Sequence, residues 1–116
     1  MLTIYGIKNC DTVKKALKWL EENNCEYQFH DYKKSGIDEP FLKSLIDKLG
    51  WENVLNLKSR TWRLLSDDKK PSNASAALKL AKEQTSIIKR PILDNGNSEQ
   101  IIGFKAEDYK NLMLKD

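Results

Sequence analysis

Residues 2–16 read LTIYGIKNCDTVKKA and predict a short strand, a tight loop and the first turn of a helix. Leu2 and Ile4 are typical of a buried strand. Gly6 and Asn9 favour a turn, and Asn9 is also a good helix cap. Beyond Cys10, apolar residues follow the i, i+3, i+4, i+7 spacing of an amphipathic helix, at Val13, Ala16, Leu17 and Leu20. The sequence therefore places Cys10 at the N-terminus of that helix.

Cys10 is the candidate nucleophile, because a helix N-terminus stabilises negative charge. Unpaired backbone N–H groups and the helix dipole favour the thiolate there. Lys8 and Lys14 add positive charge nearby, while Asp11 partly opposes it. Such surroundings can lower a cysteine pKa from about 8.5 to between roughly 3.5 and 7.5. The alternative is a buried structural cysteine that happens to begin a helix.

Size and composition predict one globular domain. The chain has 116 residues, of which 40% are hydrophobic and 32% charged, with a net charge of +3. Lysines and acids are interleaved, so we expect no direct nucleic-acid binding. No apolar run approaches the roughly 20 residues of a membrane span, and the first residues do not resemble a signal peptide. Two cysteines without a disulfide framework predict a cytoplasmic protein.

The first half of the sheet is predicted as a βαβ unit. A helix over 11–23 joins the first strand to a second strand at 26–32, where polar and aromatic residues alternate. This spacing predicts two parallel strands. Cys10, His30 and Tyr32 then lie near the carboxyl ends of the strands, where such units bind ligands.

The rest of the chain predicts helices, then a hairpin and a last helix. The turn Asn95–Ser98 joins two strands, and the last helix runs from about Ala106 to Lys115. The order of elements is that of an α/β, thioredoxin-like fold with a mixed four-stranded sheet. We expect a single domain, 1–116, with a helical insertion at about 38–84. Helix caps are predicted at Asp38 and at Ser72 or Asn73, and loops at 33–36, 67–73 and 85–89.

Four segments resemble those of a known family. They are Tyr5–Thr12 (YGIKNCDT), Phe29–Tyr32 (FHDY), Thr61–Arg63 (TWR) and Ile87–Ile92 (IIKRPI). Together they span nearly the whole chain. The chain resembles the arsenate reductase-like (ArsC/Spx) family, in particular its YffB-type branch.

The resemblance implies roles for Arg90 and Pro91. A cis-proline that faces the nucleophile corresponds to Pro91, and it would turn a backbone edge towards a peptide or glutathione. An arginine that binds an oxyanion or stabilises the thiolate corresponds to Arg90. A guanidinium suits both tasks, because it is planar, always charged and a bidentate donor.

A second essential arginine of the family falls within residues 58–63. Lys58, Arg60 or Arg63 could match it, and Arg63 fits the YffB-type pattern best. Arsenate reductases carry a further arginine where this chain has residues 102–104, Ile-Gly-Phe. The loss of this cation weakens the case for arsenate and makes glutathione or a glutathionylated partner more plausible.

A single nucleophilic cysteine is expected. The motif Cys-x-x-Cys is absent, because position 13 is Val13. Cys25 lies about thirteen helical residues from Cys10, or roughly 20 Å, whereas a disulfide needs Cα atoms within about 7 Å. Cys25 is therefore predicted to be structural, and turnover would need an external thiol such as glutathione.

We expect a glutathione-dependent thiol reductase with no permanently bound cofactor and with glutathione as co-substrate. The resemblance leaves open an arsenate reductase, linked to glutathione or glutaredoxin. It also leaves open an Spx-like regulator that binds RNA polymerase without turnover, which is less favoured without a Cys-x-x-Cys switch. His30 could serve as a base but is more often an ordinary strand residue. The candidate catalytic residues are Cys10, Arg90 and Arg63; the candidate substrate- or glutathione-binding residues are Lys8, Asn9, Asp11, Thr12, Arg60 and Pro91; no metal site is expected.

Overall fold

The computed structural model describes residues 2–114, which group into two compact units. The sheet unit is the described part of Met1–Ser35 and Arg90–Asp116, and the helical unit is Gly36–Lys89. The single domain with a helical insertion at about 38–84 stays a prediction. Lys115, expected in the last helix, lies outside the described residues.

The elements follow one another in the order β1 (Leu2–Gly6), α1 (Asp11–Glu22), β2 (Tyr27–Asp31), α2 (Tyr32–Ser35), α3 (Glu39–Leu49), α4 (Trp51–Val54), α5 (Arg60–Arg63), a 3₁₀ turn (Asp67–Lys69), α6 (Ala74–Glu83), a second 3₁₀ turn (Thr85–Ile87), β3 (Ile92–Asp94), β4 (Gln100–Ile102) and α7 (Ala106–Leu114). No helix within residues 2–114 combines the length and the apolar character needed to cross a membrane.

The strands form one mixed sheet in the order β2-β1-β3-β4. β1 pairs in parallel with β2, and Gly6 lies opposite Asp31 at their carboxyl ends. β3 is antiparallel to both β1 and β4, so that Tyr5 lies opposite Ile92. The predicted parallel pair and the mixed four-stranded sheet are confirmed. Residues that follow β1 and β2, and residues that precede β3, therefore come together at one edge of the sheet.

The core of the sheet unit joins the sheet to α1 and α7. On α1 the predicted apolar stripe is buried at Val13, Ala16 and Leu20. Trp19 covers the neighbouring edge, with its ring 5.7 Å from that of Tyr109 and perpendicular to it. The buried residues of this core are Leu2, Ile4, Ala16, Leu20, Leu93, Tyr109 and Leu112.

The predicted hairpin between β3 and β4 is confirmed. Asn95 is buried at the turn, and its side-chain oxygen accepts hydrogen bonds from the N–H groups of Asn97 at 2.7 Å and Glu99 at 3.2 Å. Gly96 has a φ of 79°, a left-handed conformation that glycine adopts without steric cost.

Side-chain caps begin the two longest helices of the helical unit. An oxygen of Asp38 accepts a hydrogen bond from the N–H of Phe41 at 3.1 Å, at the start of α3. The side chain of Asn73 likewise accepts one from Ala76 at 2.8 Å, at the start of α6. Both caps match the prediction, and each satisfies a backbone donor that the helix itself cannot pair.

Residues 33–36 were predicted to form a loop, and this is wrong for most of the segment. The chain turns directly from β2 into α2, which covers Tyr32–Ser35. Asp31 causes the change, because its Oδ1 accepts hydrogen bonds from the N–H groups of Lys33 at 3.0 Å and Lys34 at 3.2 Å. A carboxylate in this position acts as a helix cap.

Residues 67–73 and 85–89 also differ from the expected loops. Each begins with a short 3₁₀ turn. In the first, Lys70 is half-buried and its Nζ lies 5.6 Å from the ring centroid of Trp62. In the second, Ile88 is fully buried and forms a β-bridge with Leu55. The β-bridge joins residues distant in sequence, which a local pattern does not reveal.

Candidate active site

Cys10 is the residue at which α1 begins. Its backbone is extended, with φ −133° and ψ 124°, and its carbonyl accepts a hydrogen bond from the N–H of Lys14 at 3.0 Å. The first helical hydrogen bond thus makes Cys10 itself the N-cap. The prediction that Asn9 caps the helix is wrong for this reason, and Asn9 is an exposed turn residue instead.

The surroundings of Cys10 favour the thiolate. Partial burial by itself raises the pKa of the thiol, but the Val13 N–H, the Arg90 guanidinium and the Thr12 N–H together outweigh burial, so the pKa is lowered. The sulfur makes no regular capping hydrogen bond, yet these N–H groups lie near enough to stabilise its charge. Cys10 is half-buried rather than enclosed. The direction of the shift agrees with the expectation from the sequence.

Gly6 allows β1 to approach the first turn of α1 closely. A Cβ at this position would lie 2.9 Å from Cγ2 and 3.2 Å from Cγ1 of Val13. Real side chains do not tolerate the shorter distance, so any larger residue would displace Val13. The position of Val13, whose N–H lowers the pKa of Cys10, therefore depends on a glycine.

Arg90 supplies the positive charge of the site. It is half-buried and precedes Pro91, and the peptide bond between them is cis, as the family resemblance implied. The guanidinium donates hydrogen bonds to the sulfur of Cys10 and to the hydroxyl of Tyr32. Burial alone would lower the pKa of Arg90, but the pairing with Cys10 and Tyr32 raises it. Arg90 therefore stays charged beside the thiolate.

Tyr32 completes the cluster. Its side chain has no exposed surface, and burial raises its pKa to about 12 although Arg90 acts in the opposite direction. The sequence placed Tyr32 near this edge of the sheet but assigned it no role. The signal available in the sequence was its place at the end of the polar–aromatic alternation of β2.

The sequence profile of the ArsC family matches residues 5–112. The chain belongs to the ArsC family. The α/β fold with its mixed sheet is of the ArsC, thioredoxin-like type.

Two relatives and two solved structures illustrate the similarity. A protein of Haemophilus influenzae, called uncharacterized, is 46% identical over 112 residues, which cover 95% of this chain and 96% of that protein. The global transcriptional regulator Spx of Streptococcus agalactiae is 25% identical, over 99% of this chain and 90% of Spx. The structure of the YFFB protein has a TM-score of 0.91 and 41% identity, over 96% of this chain and 97% of that chain. An arsenate reductase (ArsC) related protein from Brucella melitensis has a TM-score of 0.74 and 40% identity, over 97% and 93%.

The remaining predicted site residues of this ArsC-family chain lie in two places. Lys8, Asn9, Asp11 and Thr12 surround Cys10 with exposed side chains in the loop and the first turn of α1. Pro91 is buried, and its carbonyl accepts a hydrogen bond from the N–H of Gly103 at 2.8 Å. Arg60 and Arg63 are exposed in α5 of the helical unit, and their roles stay predictions.

Cys25 and His30 make contacts of their own. Cys25 is half-buried rather than buried, and its Sγ lies 3.6 Å from the carbonyl of Asn23. Both cysteines are free, and the twelve residues of α1 separate them by about 18 Å of helix. The ring of His30 packs against Tyr5, with centroids 5.2 Å apart. Within residues 2–114, no group of three or more His, Cys, Asp and Glu side chains is placed to hold a metal ion.

The cluster of Cys10, Arg90 and Tyr32 can perform nucleophilic chemistry at sulfur. The thiolate is the reactive form of cysteine, and it needs no separate base once its pKa is lowered. The adjacent guanidinium can also stabilise negative charge on a substrate or a leaving group. Membership of the ArsC family and the arsenate reductase-related neighbours support a thiol reductase-like role.

Proposed function

We propose that the protein is a glutathione-dependent thiol reductase in which Cys10 is the sole nucleophile. The observation that carries the proposal is the placement of the Cys10 sulfur. It is half-buried at the N-terminus of α1, where backbone N–H groups and the Arg90 guanidinium favour the thiolate. A cysteine kept for structure alone would not need an arginine directed at its sulfur.

The proposed reaction has two exchanges. In the first, the Cys10 thiolate attacks the glutathionyl sulfur of a mixed disulfide, which forms a Cys10–glutathione disulfide and expels the substrate thiolate. In the second, the thiolate of free glutathione attacks the glutathionyl sulfur of that intermediate. Glutathione disulfide leaves, and the Cys10 thiolate is restored. The substrate sulfur gains a proton from water, and the two electrons come from glutathione.

The need for an external thiol follows from the remaining sulfur in the chain. Val13 occupies the position at which a Cys-x-x-Cys motif would place a resolving cysteine. Cys25 packs against the core beyond the other end of α1. Val13 has no sulfur, and Cys25 is separated from Cys10 by the twelve residues of α1, or about 18 Å of helix, whereas a disulfide requires Cα atoms within about 7 Å. The cytoplasm, predicted from cysteine usage, would supply glutathione.

Arsenate reduction is the second candidate, favoured by the 40% identity to the Brucella melitensis protein described as arsenate reductase (ArsC) related. Residues 102–104, Ile-Gly-Phe, stand against it, because the family's third arginine is missing there. In this chemistry Cys10 would attack arsenic rather than sulfur. Glutaredoxin would be a partner in its second step.

The proposal is tested by turnover of a glutathionylated peptide with glutathione, and of arsenate in a parallel assay. Cys10→Ser should abolish reduction, while Cys25→Ser, the matched control, should retain it. Mass spectrometry of the wild-type protein should find one glutathione on Cys10. Saturable turnover of arsenate alone would support the second candidate. No turnover of either substrate, together with binding of RNA polymerase, would contradict both and favour the role that Spx has by name.

A further inference from the structure

We propose that Tyr32 is a positioning residue for the nucleophile: its buried hydroxyl holds the guanidinium of Arg90 against the sulfur of Cys10. The inference rests on the proposed function, since it takes Cys10 as the reacting atom. It adds a residue that acts on the sulfur through Arg90.

The sheet brings the three residues together from distant parts of the chain. Cys10 follows β1, and Tyr32 follows β2 directly. These strands are parallel neighbours, with Gly6 opposite Asp31 at their ends. Arg90 lies just before β3, which enters the sheet beside the same end of β1. All three side chains therefore start from one edge of the sheet.

Tyr32 is well suited to serve as a fixed anchor. Its side chain has no exposed surface, so bulk water does not compete with Arg90 for its hydroxyl as it would at an exposed side chain. Its backbone begins α2, which the carboxylate of Asp31 caps through the N–H groups of Lys33 and Lys34. An arginine side chain, by contrast, has many rotamers, and a second contact restricts them.

One guanidinium can serve both partners. It carries five N–H donors in a rigid planar fork, so it can donate to the Tyr32 oxygen and the Cys10 sulfur at the same time. Burial, Cys10 and Asp31 all disfavour the phenolate, and the pKa of Tyr32 is raised to about 12. Tyr32 is therefore neutral near pH 7. A neutral acceptor holds Arg90 without neutralising the charge that the thiolate needs.

Tyr32→Phe removes a single oxygen and tests the inference directly. Its readout is the pH profile of Cys10 alkylation by iodoacetamide, measured in a Cys25→Ser background. We expect the profile to move to higher pH, with roughly two- to ten-fold less thiolate at a pH below both midpoints, the range that the net value of one hydrogen bond allows. A purely structural role would change stability but not this profile.

Tyr109→Phe is the matched control. Tyr109 is also without exposed surface, and its hydroxyl donates to the carbonyl of Gly103 at 3.1 Å. Both variants lose one hydroxyl from the sheet unit, and urea titration compares their stabilities. The profile of Tyr109→Phe should match that of the wild type. An equal shift in both variants would overturn the inference, because the effect would then be general loosening.

A double-mutant cycle identifies the route of the effect. If Tyr32 acts through Arg90, Tyr32→Phe should have no further effect on the profile in an Arg90→Met background. A full additional shift would overturn the inference. A shift of Tyr32→Phe to lower pH would also overturn it, because the hydroxyl would then compete with Cys10 for the guanidinium.

A measurement on the unaltered protein decides the question if Tyr32→Phe does not fold. The chain has four tyrosines, so ¹³C-labelled tyrosine rings give four hydroxyl-carbon signals, which Tyr→Phe variants of the other three assign. The Tyr32 signal should titrate with the midpoint of Cys10, and Cys10→Ser should remove that step. If the Tyr32 signal shows no step at the midpoint of Cys10, the inference about Tyr32 is overturned but the proposed activation of Cys10 is not. An ordinary thiol midpoint in the wild type would overturn the proposed activation of Cys10 as well, so the two failures are distinguishable.

Discussion

Replacement of Arg90 by Met should raise the pKa of the Cys10 thiol. Methionine is unbranched and neutral, so it fills part of the same space and removes the guanidinium. The thiolate keeps the Val13 and Thr12 N–H groups but loses both the hydrogen bond and the charge of Arg90. Burial, which disfavours the thiolate, is then opposed by fewer groups.

The size of the effect follows from the exposure of the pair. A hydrogen bond to a charged group contributes about 1.5–3 kcal/mol. Cys10 and Arg90 are only half-buried, and solvent screening reduces the interaction to about 1 kcal/mol. This free energy corresponds to a roughly five-fold smaller thiolate population at a pH below both pKa values.

Alkylation by iodoacetamide as a function of pH measures the change, in a Cys25→Ser background. A thiolate of higher pKa is intrinsically more nucleophilic, with a Brønsted coefficient of about 0.4–0.5 for thiol exchange. If alkylation responds similarly, the five-fold loss of thiolate should reduce the rate at a pH below both midpoints by only roughly two- to three-fold. At high pH the variant should react faster than the wild type, so the two profiles should cross.

Lys110→Met is the control for this prediction. Lys110 is exposed on α7, and its replacement also lowers the net charge of +3 by one. Its profile should coincide with that of the wild type. An unchanged midpoint in Arg90→Met would refute the reasoning. An equal shift in Lys110→Met would refute it too, because net charge rather than the Arg90 contact would then control the thiolate.

Three further predictions concern the sheet unit. Gly6→Ala should lower the free energy of unfolding by about 1–3 kcal/mol in urea, because its Cβ would lie 2.9 Å from Val13 Cγ2, and a change under 0.5 kcal/mol would contradict the close approach. Folding lowers the pKa of Cys10, so its thiolate adds stability that is lost as pH falls through the folded value. The unfolding free energy of the wild type relative to Cys10→Ser should therefore rise with pH up to the ordinary thiol pKa of about 8.5 and then level off; a fall over this range would be inconsistent with the shift. Leu93→Ala, at a position with no exposed surface in β3, should cost about 2–5 kcal/mol, whereas Leu114→Ala, 76% exposed, should change stability by less than about 0.5 kcal/mol.

Much of the fold could be predicted because its signals are local. The caps at Asp38 and Asn73 and the turn Asn95–Ser98 each depend on residues a few positions apart. The apolar stripe of α1 is likewise visible in any window of three turns. The short helix α2 was missed because Asp31, read as a strand residue, acts as a cap.

In the candidate site, too, the features that depend on adjacent residues could be predicted and those that depend on distant residues could not. Adjacent residues in the sequence predict that Cys10 follows a strand and begins a helix. They also predict the positive charge of the helix N-terminus that favours its thiolate. The sequence predicted Asn9 as the cap, and only the backbone path showed that Cys10 is the N-cap instead.

The partners of the sulfur belong to the tertiary structure. Tyr32 and Arg90 lie far apart in the chain, and no periodicity connects them with Cys10. Their hydrogen bonds exist because β1 pairs with β2 on one side and with β3 on the other, which brings three loops to one edge. Side-chain reach across packed strands depends on distances in space, and a linear pattern contains no such distances.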